Sequence, residues 1–194
     1  MLKKSYYILI SLFIIILESF TIQENSDLKD FESKVNLFIK YLESTNELSS
    51  DRYLNSQYND LVLENTTESS WHKTLTFKNK KTFKNIYNQT VKQRFYFGFH
   101  YFDTKEKCTQ AFESLMNCIG NDCQSIKWGD ESIGIKTTPF FYLKTEKEII
   151  YCKIVCEHQN YVWDDIKKLI EARFRTNDYQ IISSDCGGTP TFKN

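Results

Sequence analysis

The nine residues from Arg94 to Phe102, Arg-Phe-Tyr-Phe-Gly-Phe-His-Tyr-Phe, constrain this chain more than any other stretch. Aromatic side chains lose rotamer freedom against a helical turn but stand well on a pleated surface, so the run predicts a β-strand. Alternation puts Phe95, Phe97, Phe99 and Tyr101 on one face and Tyr96, Gly98 and His100 on the other. Asp103 or Thr104 can then cap a helix with Cys108, Ala111, Phe112, Leu115, Met116 and Ile119 along one side, stopped by Gly120.

The flanking pattern extends this nucleus in both directions. Upstream, Thr74 to Phe77 and Thr82 to Tyr87 predict a hairpin about Asn79-Lys80. Downstream, short strands are expected at Ser125 to Trp128 and Ser132 to Lys136, then a hairpin of Phe140 to Lys144 with a long return strand, Glu148 to Glu157. Val162 to Phe174 reads as a second amphipathic helix with Trp163, Ile166, Leu169, Ile170 and Phe174 inward, and Tyr179 to Ser183 as a closing strand. Near the N-terminus, Ser26 or Asp27 can cap a helix carrying Leu28, Phe31, Val35, Phe38, Ile39 and Leu42 at spacings of three and four, and Tyr53 to Val62 is a looser second helix. The order predicts an α+β fold: a mainly antiparallel sheet with two amphipathic helices packed on one face, preceded by an N-terminal helical arm. The polar loop Asn65 to Ser70 marks the seam, which gives an arm over 20–70 and a cysteine-containing domain over 71–194.

Residues 1–19 read as an address. Lys3 and Lys4 precede an apolar run from Tyr6 to Leu17 broken only by Ser11, and the chain turns polar at Glu18. A spanning helix needs roughly 20 apolar residues, more than this run offers. A secretory signal peptide is therefore expected, with export to a secreted or periplasmic location. Leu17-Glu18-Ser19 has a small residue only at its last position, so the alternative is an uncleaved anchor, the sole expected contact with a membrane.

Export gives the cysteines their meaning. Cys108, Cys118, Cys123, Cys152, Cys156 and Cys186 form an even set confined to the C-terminal half, which in an oxidising compartment predicts disulfides. Cys152 and Cys156 sit four apart in the expected strand, about 13 Å at 3.3 Å per residue, too far to bond to each other. Each needs another partner, with Cys108 reaching one and Cys186 the other, while Cys118 and Cys123 can close a short loop across Gly120-Asn121-Asp122. The same spacing speaks against shared zinc ligation, with or without His158, and there is no Cys-x-x-Cys pair.

Composition and motifs narrow the function by exclusion. Lys and Arg equal Asp and Glu at 25 each, so no global field favours nucleic acid. Locally, ten acids oppose four bases from Glu24 to Glu68, whereas Ser69 to Phe102 holds seven bases and no acid; the two segments are expected to lie side by side. Gly129-Asp130-Glu131-Ser132-Ile133-Gly134 misses the spacing of a serine-hydrolase elbow, and no glycine-rich phosphate loop is present. Neither a cofactor nor a metal is expected. Asn65-Thr66-Thr67 and Asn88-Gln89-Thr90 match the N-glycosylation acceptor pattern, matches that also arise by chance in an asparagine-rich chain. Trp71, Phe77, Phe83 and Tyr87, interleaved with lysines, suit either an exposed stacking surface or a core strand with a basic edge, and the core is favoured. The functional expectation is an exported, non-enzymatic domain that binds a partner protein or an extracellular ligand. The competing expectation is an exported hydrolase-type enzyme using His100 or His158 in a site assembled from dispersed residues.

Overall fold

The computed structural model describes residues 26–44, 48–51, 63, 69–85, 88–119, 125–130 and 138–194. By internal contacts the chain divides into Met1–Leu37 and Phe38–Asn194. Helix α1 (residues 26–44), in the stretch where the apolar periodicity predicted one, begins in the first unit and ends in the second. The expected leader, the expected helix over Tyr53 to Val62 and the expected strand over Ser132 to Lys136 lie outside the described residues. No helix among the described residues is long and apolar enough to cross a membrane.

The second unit is built on a seven-stranded antiparallel sheet. Its strands are β1 (Leu48–Asp51), β2 (Trp71–Asn79), β5 (Arg94–Tyr101), β6 (Phe140–Lys144), β7 (Glu148–Lys153), β8 (Gln180–Ser184) and β9 (Thr191–Lys193). Their spatial order is β1-β2-β5-β7-β6-β8-β9, with β3 (Phe83–Lys84) and β4 (Thr90–Val91) forming a separate ribbon. The aromatic run is β5, and it lies inside the sheet with Phe97 opposite Leu75 of β2 and Cys152 of β7. The β1–β2 pairing sets a strand from the acidic segment along the basic one.

The register sorts the side chains into two faces. On one, Phe97 and Phe99 meet Phe38 at 5.8 and 6.0 Å between ring centroids. Phe174, at the end of helix α3 (Tyr161–Phe174), closes the group at 5.3 Å from Phe38 and 5.8 Å from Phe99. Most of these rings meet edge to face, the arrangement their quadrupoles favour. On the other face, Phe140, Tyr142, Ile149, Tyr151 and Ile182 pack against Cys108, Ala111, Phe112, Leu115 and Met116 of helix α2 (Lys105–Met116).

The fold is α+β with an antiparallel sheet and an N-terminal helix. The placement of α2 and α3 corrects the expectation of one helical layer, because they cover opposite faces. The cause is visible in β6 and β7: Phe140-Phe141-Tyr142-Leu143 and Ile149-Ile150-Tyr151-Cys152 are unbroken apolar runs buried on both sides. A sheet with two apolar faces needs a layer over each.

Two local expectations also change. The first 74–87 hairpin does not form; β2 continues to Asn79, pairs with β5, and its closing contact is the Asn79 amide donating to the Gln93 carbonyl at 2.8 Å. Pairing with β5 brings Phe95, Tyr96, Phe97, Phe99 and Tyr101 along β2, against the Phe83 and Tyr87 that Thr82 to Tyr87 offers. The expected strand to Glu157 stops at Lys153, and Cys156–His158 forms a 3₁₀ turn. That turn leads into α3, whose first amides are met by the Asn160 side chain, accepting from Val162 N at 3.0 Å. Helix α2 starts as expected, with Thr104 Oγ1 accepting from Lys107 N, but ends at Met116, a turn before Gly120.

Candidate functional site: the Trp128 groove

A surface groove grows from the end of α2. A helix leaves its last carbonyls without intrahelical partners. Here the Met116 carbonyl accepts from the Ile126 amide at 2.8 Å, and Ser125 Oγ donates to Asn117 Oδ1 at 3.3 Å. Ile126 is buried in the α2 core, so the segment that follows is fastened to the helix terminus. The chain then turns at Trp128-Gly129, where Gly129 takes a φ of 82° that favours glycine and the Asp130 amide closes on the Lys127 carbonyl at 3.0 Å. This turn presents the indole of Trp128 beside Phe192 of β9, 5.0 Å away, and Phe112 of α2, 6.2 Å away.

Between these elements lies an open groove of about 480 Å3. Its apolar wall is Phe112, Met116, Ile126 and Trp128; its polar rim is Thr109, Glu113, Asn117 and Gln180. Five of these residues, at 109, 112, 113, 116 and 117, form one stripe of helical spacing along α2 and its cap. Trp128 keeps 36% of its surface exposed. Apart from the Asn117 contact with Ser125, the rim side chains make no hydrogen bond or ion pair with other described residues.

The expected functional residues are distributed elsewhere. The segment Trp71 to Phe102 contributes core: Phe77, Phe95, Phe97 and Phe99 are fully buried, Trp71 and Phe83 are half-buried, and Tyr87 lies outside the described residues. Among the described Phe, Tyr and Trp residues the exposed one is instead Trp128, in the stretch expected to be a strand. The signal that marks it is the sequence Lys127-Trp128-Gly129-Asp130, a bulky aromatic set inside a turn.

The histidines do not form a shared centre. His72 stacks on buried His100 at 5.9 Å, and His100 stacks on Tyr151 at 6.0 Å. His158 sits at the base of β5, where Nδ1 accepts from Arg94 N at 3.3 Å and the carbonyl accepts from Gln93 Nε2 at 2.7 Å. Burial, assisted by the Arg94 charge, pushes its pKa below the usual histidine range and keeps the ring neutral, as that acceptor role requires. Among the described residues no group of three His, Cys, Asp or Glu side chains is placed to hold a metal.

Cys156 and Cys186 form a disulfide, with Cα atoms 5.2 Å apart. It ties the 3₁₀ turn to the β8–β9 connection, where Asp185 Oδ1 accepts from Trp163 Nε1 at 3.0 Å and Lys167 Nζ at 3.3 Å. Cys118 is also disulfide-bonded, and Cys123 lies outside the described residues. The expected bridge from Cys108 is corrected: Cys108 and Cys152 are buried free thiols. Cys152 shares the face of Phe97 and Phe141, whereas Cys108 belongs to α2 on the other, so the sheet stands between them. Burial pushes the Cys108 thiol up to about 12 and the Cys152 thiol well above its ordinary range. Both are held in the unreactive protonated form.

Compared with known proteins, the chain matches no family model, no curated protein and no solved structure.

Proposed function

We propose that this chain is an exported binding domain that captures a ligand in the Trp128 groove. The observation that carries the proposal is a surface indole, 36% exposed in a molecule whose other described aromatics are largely packed, set beside uncommitted hydroxyl, carboxylate and amide groups. An aromatic face offers a flat apolar surface, and polar groups at its rim fix the orientation of what lies on it. The ligand that fits is hydroxyl-rich and uncharged with one apolar face, the chemistry of a sugar ring. Hydroxyls can donate to Glu113 and exchange hydrogen bonds with Thr109, Asn117 and Gln180. The export half of the proposal is supported by the Cys156–Cys186 bridge and by the leader pattern of Met1 to Phe20.

The test is a saccharide panel screened against the oxidised protein, with binding read by calorimetry and by the change in indole emission. Trp128→Ala is expected to weaken the best ligand about tenfold or more, as truncation of an aromatic anchor does. Glu113→Gln and Gln180→Ala should weaken it with the fold intact. Undiminished binding by Trp128→Ala, or no binding to any member of the panel, sinks the sugar-ligand reading.

A further inference from the structure

Away from the groove, the β3–β4 ribbon carries a feature that ligand capture leaves unused. Its turn is closed at Asn85 to Gln89. The Asn88 amide donates to the Asn85 carbonyl at 2.9 Å and the Asn85 amide donates to the Gln89 carbonyl at 3.0 Å. Side chains reinforce the closure, with Asn85 Oδ1 accepting from the Gln89 amide at 2.9 Å and Asn85 Nδ2 donating to Gln89 Oε1 at 3.2 Å. The Lys84 ammonium donates to the Asn88 carbonyl at 3.1 Å. None of these contacts uses the side chain of Asn88. The Asn88 carboxamide meets no hydrogen-bond partner among the described residues, and Asn88 and Thr90 are both exposed.

Asn88 has a φ of 58°, and asparagine is one of the few residues other than glycine that adopts this region readily. Turn geometry alone therefore accounts for the residue type. It does not account for an exposed threonine hydroxyl two positions on, in the Asn-x-Ser/Thr order with a non-proline residue between. With Gln89 turned toward Asn85, the Asn88 and Thr90 side chains stand clear of it.

We infer that Asn88 is an N-glycosylation acceptor. The co-reactant is a polyprenyl-diphosphate-linked oligosaccharide. The Asn88 amide nitrogen bonds to its anomeric carbon as the bond from that carbon to the diphosphate oxygen breaks. The diphosphate leaves with the electron pair, and the displaced amide proton passes to a base of the transferase. The ribbon joins β5 in the chain, and in the sheet β7 and β6 stand between β5 and β8, which contributes Gln180 to the Trp128 groove. The inference rests on the export half of the proposed function and is independent of the ligand.

The experiment is peptide mass spectrometry of the full chain recovered from its own cells, before and after enzymatic removal of N-glycans, with the state of Cys156 and Cys186 read in the same sample. The expected result is a mass loss on deglycosylation, with Asn88 converted to Asp. Thr90→Ser should keep the glycan, while Thr90→Val and Asn88→Gly, the latter compatible with the turn, should abolish it. A bare Asn88 in a chain whose Cys156–Cys186 bridge is formed overturns the inference and leaves export standing. A bare Asn88 with both cysteines reduced overturns the two together. A modification that persists in Thr90→Val also overturns it, since an N-linked transfer needs that hydroxyl.

Discussion

Gly98 shows how a single position sets the packing between two neighbouring strands. A Cβ built there would stand 2.0 Å from the Tyr151 ring, which lies flat across the glycine on the neighbouring strand. Gly98→Ala is expected to destabilise by about 3 kcal/mol or more, since both the ring and the strand would have to move within a packed interior. Denaturant unfolding checks it, and the double variant Gly98→Ala, Tyr151→Ala should recover part of the steric loss. His158 supplies a second residue-scale prediction. Its folded pKa lies below the unfolded value near 6.5, so the unfolded chain takes up the proton first and stability falls as pH drops below about 6.5. A urea midpoint followed from pH 7.5 to 5 should decline, and the decline should be shallower in His158→Gln. The buried thiols give a third: Cys108 and Cys152 should resist alkylation in the native protein and react only after unfolding.

At the scale of elements, the disulfide and the caps decide where the chain turns. The strand ends at Lys153, and Cys156 bonds to Cys186 from the 3₁₀ turn that follows. The bridge spans a sequence separation of 30, and removing it with Cys156→Ser and Cys186→Ser should lower stability by about 3 to 4 kcal/mol in the chain-entropy account. Thermal unfolding with and without reductant gives the same comparison in the natural chain. Thr104 and Asn160 cap the helices that follow; the Thr104 start was legible because capping is a local hydrogen-bond requirement, whereas the role of Asn160 was not read from the sequence. Neither was the end of α2. Met116 ends the helix because the Ile126 amide arrives to meet its carbonyl, and that segment is ten residues away.

For the molecule as a whole, the α+β class, the strand character of Arg94 to Phe102 and the two amphipathic helices follow from the sequence alone. Alternation, periodicity and capping are properties of neighbouring residues, and the aromatic run has no exposed alternative. Tertiary structure alone decided which strands pair, that α2 and α3 cover opposite faces, and that Cys108 and Cys152 are kept apart. It also decided that Trp128 remains at the surface while Phe77, Phe95, Phe97 and Phe99 are buried. These choices compare buried areas between segments distant in sequence, and no local pattern carries that comparison. Exposure of a side chain is a property of everything packed around it, which is why the groove belongs to the tertiary structure, while the Asn88-Gln89-Thr90 acceptor pattern is readable in the chain and gains its setting from the turn that presents it.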